Sequence, residues 1–330
     1  MHTRRTLWLS FLFSAALILA RPGPGAGEPE EVSSDYEGPP LRLEANYTPG
    51  RYRVSTRQKQ KQTMQIGGTQ VPQKNSLMTV QRANVSEPNS AGERTLTITY
   101  TRVKQGQSMG GREVTYDSEG PAEANNPLLA KIFDSMLGAE LRATIGADGQ
   151  IKELQGMDAL WEKVSERLGP EAAMGLETMK KHMGNKQMLR TMQAGRRLLP
   201  HKPVKPGDEW NARIHFHTPM TGRITSTAAC RLQDILETDA GNIAVVGCTG
   251  KASSEGGTTT IGNQQVQIQK IDLDQQTTLH FDLASGMIRR RKLKQSGPIV
   301  LSVAGAGGTA QEITIQQEMT LTTEWEKIEK

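Results

Sequence analysis

Three sets of residues have types and spacings that could do chemistry. Cys230 and Cys248 are the two cysteines of the chain and flank the turn residues Asp239-Ala240-Gly241. A hairpin symmetric about residue 239 sets them directly opposite each other, where a non-hydrogen-bonded antiparallel pair comes within disulfide reach, whereas a one-residue slip would point them to opposite faces as two buried thiols. His215 and His217 are two apart on a segment that alternates as a strand, so both leave the same face, a geometry that metal sites use. With a further ligand, the pair would support a metal-assisted hydrolase. His182, His201 and His280 lie in separate segments with no tight carboxylate spacing, and the plain reading of the pair is a solvated strand face. Met174, Met179, Met183, Met188 and Met192 recur at helical spacing. Methionine is unbranched and polarizable, so such a stripe either packs helices onto a sheet or adapts to a varied apolar ligand.

Other catalytic signatures are missing from the sequence. It has no Gly-x-Ser-x-Gly elbow, no His-Glu-x-x-His and no phosphate loop ending in Gly-Lys-Ser/Thr. The paired glycines at 67–68, 110–111, 256–257 and 307–308 read as turns. No motif calls for a cofactor, and the residues favour a non-catalytic role over an enzyme. The formal charge of +5 includes Arg4, Arg5 and Arg21 of the N-terminal segment. Without them the excess falls to about +2, too small a field to hold nucleic acid. The basic run Arg289 to Lys294 alternates along a strand and reads as a solvated face.

These residues need elements to position them. Arg4 and Arg5 precede an apolar run from Leu7 to Ala20, shorter than the ~20 residues of a membrane span, and Gly25-Ala26-Gly27 supplies small residues for a peptidase. The sequence therefore predicts a signal peptide over 1–27, cut between Gly27 and Glu28, and an exported, periplasmic or extracellular chain with no transmembrane segment after cleavage. Residues 28–45 are acidic and contain proline, as in a disordered leader. From 46 to 156, period-two stripes such as Leu96, Ile98 and Tyr100 mark antiparallel strands, interrupted by a short helix that opens at Asn126-Pro127 and ends at Gly138. Tyr52 and Val54 begin one such stripe, and Met64 and Ile66 resume it after a very polar KQKQ stretch. Residues 157–199 change to helical period, with Asp158 able to cap the first of three helices. From 200 to 330, Trp210, Ala212, Ile214 and Phe216 open a second antiparallel β region that ends with a stripe through Ile313, Met319 and Trp325. The fold class is α+β, with two antiparallel β-sheet domains and a helical segment between them. Residues 141–155 and 279–292 share a strand, turn, strand plan, as do 77–103 and 223–250, which suggests duplicated, curved sheets.

The order of Asn125-Asn126-Pro127-Leu128, Ile145-Gly146-Ala147-Asp148-Gly149-Gln150-Ile151 and Pro206-Gly207-Asp208-Glu209-Trp210 resembles a family of secreted bacterial proteins of unknown function across most of 45–330. That resemblance implies no activity and no site residues. A looser likeness is to periplasmic lipoprotein-carrier half-barrels, which implies a curved antiparallel sheet that binds acyl chains under covering helices. Here the helices fall between the sheets in sequence. The functional expectation is a binding protein whose partner is an apolar small molecule or lipid, or another envelope protein, with a structural envelope protein as the further alternative.

Overall fold

Each stripe of alternating residues becomes a long antiparallel strand. The computed structural model describes residues 36–169, 177, 180, 184–218, 222–239, 241–254, 256–261, 264–304 and 310–328. The expected signal peptide with its Gly27–Glu28 boundary lies outside these residues, as do Met174, Met179 and Met183. The first β region comprises β1 (Gly50–Ile66), β2 (Thr69–Val85), β3 (Arg94–Met109), β4 (Arg112–Asp117), β5 (Glu140–Ile145) and β6 (Ile151–Gln155). The second comprises β7 (Glu209–Thr218), β8 (Gly222–Thr238), β9 (Gly241–Ser254), β10 (Gly257–Ile261), β11 (Gln264–Asp282), β12 (Met287–Ala304) and β13 (Ala310–Lys327). Helix α1 (Pro127–Met136) lies within the first region, and α2 (Met157–Leu168) and α3 (Asn185–Ala194) lie between the two.

The α+β, antiparallel character expected from the sequence is present, and the strands of both regions belong to one sheet. Its order is β6-β5-β3-β2-β1-β13-β12-β11-β9-β8-β7, with β4 attached to β3 and β10 to β11. The junction is the ladder between the first and last strands, in register from Tyr52↔Lys327 to Ile66↔Ile313. The pairing order β1-β2-β3-β5-β6 is repeated by β7-β8-β9-β11-β12, each with one short strand off the path after the third. Because the two ends of the chain pair in the middle of the sheet, its free edges are β6 and β7, which are consecutive in sequence.

The helical segment spans that gap. α3 touches both β6 and β7, and the turn Gly195–Leu198 continues along β7. Gln193 Nε2 donates to the Ile151 carbonyl at 2.7 Å, and Trp210 Nε1 to the Leu198 carbonyl at 2.9 Å. Neither contact is part of a strand ladder. α1 begins as its sequence requires, with Asn126 Oδ1 accepting from the N–H groups of Leu128 and Leu129 at 3.1 and 3.2 Å. α2 starts differently from the expectation. Gly156, at φ +100°, takes the N-cap position with no capping side chain, and a Cβ there would collide with the Glu140 carbonyl. Asp158 instead accepts from Asn185 Nδ2 at 2.8 Å, while Asn185 Oδ1 accepts from the Met157 N–H at 3.1 Å. The cap of α2 is thus supplied by the first residue of α3, a tertiary contact that local spacing does not reveal.

The residues that bury the helical layer are those of the stripes. Trp325 on β13 is 1% exposed and lies 5.6 Å from the Tyr52 ring and 6.3 Å from that of Tyr47, centroid to centroid. Leu129, Phe133, Trp161, Val164, Met188 and Met192 pack into the same cluster. Residues 41–45, assigned to the leader by composition, are held against the sheet. Leu41 pairs with Val204, and Leu43 is buried beside Leu199. An alternation as short as Leu41-Arg42-Leu43 carries too little periodic signal to stand out from an acidic, proline-containing segment.

Cys230 and Cys248 form the expected disulfide, with Cα atoms 4.0 Å apart. The turn sits half a residue from the expected centre, pairing Thr238 with Gly241, and a register shift between Leu232 and Asp234 restores the Cys230↔Cys248 pairing. Closing a loop of this size stabilises by about 3 kcal/mol in the chain-entropy account.

One buried charge organises the β11–β12 turn. Asp282, 2% exposed, accepts from the N–H groups of Ala284 and Ser285 at 2.9 and 3.1 Å and from Arg289 Nε at 2.7 Å. Burial alone would raise its pKa, but the Ser285 and Arg289 donors outweigh it and hold the carboxyl below its ordinary range. A carboxyl depressed in the folded state adds stability above its unfolded pKa, and that stability is lost as pH falls through the folded value. Asp282→Asn should cost about 2 kcal/mol at pH 7. The gap between the two proteins should close on acidification below about pH 4. Urea unfolding at several pH values measures this, and parallel curves would contradict it.

Candidate functional site

Alternation divides the sheet into two chemically different faces. On β1 the outward positions are Arg53, Ser55, Arg57, Lys59 and Lys61, and on neighbouring strands they include Lys74, Lys104, Lys294 and Glu318. A barrel that spans a lipid bilayer turns an apolar band outward, which these charges do not provide. No helix among the described residues is long and apolar enough to cross a membrane. The outward face carries a cleft of about 250 Å³ lined by Arg53, Arg57, Arg102, Met78, Val80 and Glu324. Its guanidinium groups are already engaged, Arg57 with Glu324 at 3.0 Å and Arg102 with Glu119 at 2.6 Å.

The inward face is ordered along the strands. Nearest the helices it is apolar, with Val54, Trp325, Leu279 and Val246. At the opposite end it is apolar again, where Met64, Ile315, Ile299 and Ile271 stand side by side on β1, β13, β12 and β11. Between these ends lies a band of amides. Gln58, Gln60 and Gln62 on β1 face Leu77, Asn75 and Gln73 on β2 and Leu321, Met319 and Gln317 on β13. The band extends to Gln105 and Gln107 on β3, Gln295 on β12 and Gln275 on β11. These are not surface side chains: Gln58, Gln60 and Gln73 are each 2% exposed and Gln317 3%.

The amides partly satisfy one another. Gln317 Oε1 accepts from Gln60 Nε2 and Gln62 Nε2, each at 3.2 Å, Gln105 Nε2 donates to Asn75 Oδ1, and Ser226 Oγ donates to Gln275 Oε1 at 2.7 Å. Gln58 Oε1, both amide atoms of Gln73, Gln107 Nε2, Gln295 Oε1 and Gln317 Nε2 make no hydrogen bond with any described residue. A buried polar atom left so costs about 1–3 kcal/mol, and natural cores keep few of them. On β1, β2, β12 and β13 the band holds no ionisable side chain. Arg291 stands one row beyond it, opposite Thr323 and Leu279, and its burial lowers its pKa to about 10, so it remains charged at neutral pH.

The residues singled out from the sequence fall elsewhere. His215 is exposed on the outward face of β7, with Nδ1 3.1 Å from Thr225 Oγ1, and His217 pairs in register with Arg223. Among the described residues no three His, Cys, Asp or Glu groups lie close enough to hold a metal ion. Met188 and Met192, 5% and 4% exposed, line the inner side of α3 and meet the Trp325 cluster. In the sequence the amide band reads as a polar interruption, and the signal that could have found it is its period of two. Gln58, Gln60 and Gln62 keep the phase of Tyr52, Val54 and Met64, so the stripe changes chemistry without breaking.

The match that decides membership covers residues 91–288, from β3 to β12, and is to the Family of unknown function (DUF6263). The chain belongs to this family. No curated protein matches the chain. Among solved structures the family member is similar to "Lipid-protein interactions in lipovitellin", with a TM-score of 0.40 and 11% identity over 86% of this chain and 26% of that one. It thus spans about a quarter of the lipovitellin chain. It is also similar to the translocator domain of the autotransporter NalP from Neisseria meningitidis, with a TM-score of 0.22, 9% identity, and coverage of 86% and 90%. A DUF1329 family protein from Desulfovibrio piger ATCC 29098 matches at a TM-score of 0.13 and 8% identity, covering 80% and 83%. Likenesses at these scores define neither fold nor activity.

The hydrogen bonds inside the band make its members unequal. Gln317→Leu removes the shared acceptor of Gln60 and Gln62 and should destabilise the protein by about 2–3 kcal/mol in urea unfolding. An unchanged midpoint would show that those donors are satisfied otherwise.

Proposed function

We propose that this protein is a non-catalytic binding protein that holds an apolar or amphiphilic molecule along the inner face of its sheet. The observation that carries the reading is the seam. The edges β6 and β7 are bridged by α3 through side chains and not by a ladder, so the interior can be reached by moving one helix while every strand pairing stays intact. Met188 and Met192 form the inner wall at that point, and flexible thioether side chains repack around ligands of different shape at small cost. The long apolar stretches at both ends of the face supply the contact area. The Cys230–Cys248 disulfide supports an oxidising, extracytosolic setting for such a carrier. A hydrolase built on His215 and His217 would need a third ligand, which no described residue supplies.

The reading is tested with N-phenyl-1-naphthylamine, whose fluorescence rises in apolar surroundings. The protein should take up the probe saturably and release it to dodecanol. Gln193→Ala, which frees α3 from the Ile151 carbonyl, should speed uptake about fivefold, the factor that ~1 kcal/mol confers. Absence of saturable uptake in both proteins would contradict the proposal.

A further inference from the structure

We infer that the ligand carries an uncharged, polyhydroxylated head group, of the sugar class, seated on the amide band with its apolar tail along the row of Met64, Ile315 and Ile299. The inference rests on the carrier reading and adds the chemistry of what is carried. The unpartnered atoms of the band are three acceptors, on Gln58, Gln73 and Gln295, and three donors, on Gln73, Gln107 and Gln317. Turning an amide over exchanges a donor for an acceptor, so the band presents both kinds of group whichever way each side chain is set. A carboxylate or phosphate only accepts, and an ammonium only donates. Either would leave half of these atoms unanswered and would bring a charge onto rows that hold none on β1, β2, β12 and β13. A hydroxyl does both and rotates to suit its neighbour.

The dimensions agree with a compact head. The unpartnered amides, from Gln107 on β3 to Gln295 on β12, cross four strand spacings, about 19 Å, and from Gln58 to Gln62 the band runs about 14 Å along the strand. That area suits one or two sugar rings better than a single extended peptide. Arg291 lies one row outside it, so an acid drawn to that cation would sit beside the amides and leave them unmet. Gln73 is the residue of choice for a test, because it is 2% exposed and both of its amide atoms are unpartnered. Gln73→Met keeps the length of the side chain and removes the amide.

The experiment compares n-dodecyl β-D-maltoside below its micelle concentration, dodecanol and laurate by isothermal titration against the full chain and against Gln73→Met. The expected result is that the maltoside binds about tenfold or more tightly than laurate, and that Gln73→Met loses about tenfold for the maltoside and a smaller factor for dodecanol, whose single hydroxyl answers few of the amide atoms. The ligand-free variant should also melt at a higher temperature, since an unanswered buried amide has been removed. Equal binding of laurate and maltoside would overturn the head-group assignment and leave the carrier reading standing. Failure of all three to bind would overturn both. A lower melting temperature for Gln73→Met would show that its amide is paired in the free protein, and would overturn the role given to the band.

Discussion

The ladder between β1 and β13 is the constraint from which the rest of the architecture follows. By pairing the first strand with the last, from Tyr52↔Lys327 to Ile66↔Ile313, it turns two separate antiparallel regions into one open sheet. Among the described residues the ends of its path are β6 and β7, which the chain joins through its helices. Open edges are hazardous because their unpaired backbone groups recruit other strands. Here the connecting segment itself lies across them. Trp325 and Tyr52, side by side on the joining strands, anchor the apolar cluster on which α1, α2 and α3 pack. The junction of the sheet and the seat of the helical layer are therefore the same few residues.

The inward face also shows a local conflict between stability and use. Strands of this length offer enough inward positions for a wholly apolar core, and both ends of the face take that course. In the middle the same phase is given to Gln58, Gln60, Gln62, Gln73 and Gln317, several of which lack partners for part of their hydrogen-bonding capacity. Amides buried without partners are destabilising relative to leucine or methionine of similar volume. Where a chain breaks a packing rule over many adjacent residues, a functional demand is the natural cause.

Much of this was legible in the sequence and some of it was not, for identifiable reasons. Alternation located the strands, Asn126-Pro127 located the start of α1, and the spacing about residue 239 paired Cys230 with Cys248 even though the turn is offset, because a bulge near Gln233 absorbs the difference. Partners far apart in the chain were not legible. β1 and β13 each read as a strand buried on one face, and nothing local says that they pair with each other. The cap of α2 was assigned to Asp158 on spacing and is made by Asn185 from another helix. The amide band was hidden by composition. Interleaved with Lys59 and Lys61, the glutamines read as a polar interruption, and only their constant phase shows that they face inward.

Hydrogen exchange followed amide by amide tests the single sheet with its helical seam most directly. Amides of β1 and β13 should exchange only by global unfolding, while those of α3, β6 and β7 should open first and together, at lower free energy. Exchange of the β1–β13 ladder before the seam would contradict the account.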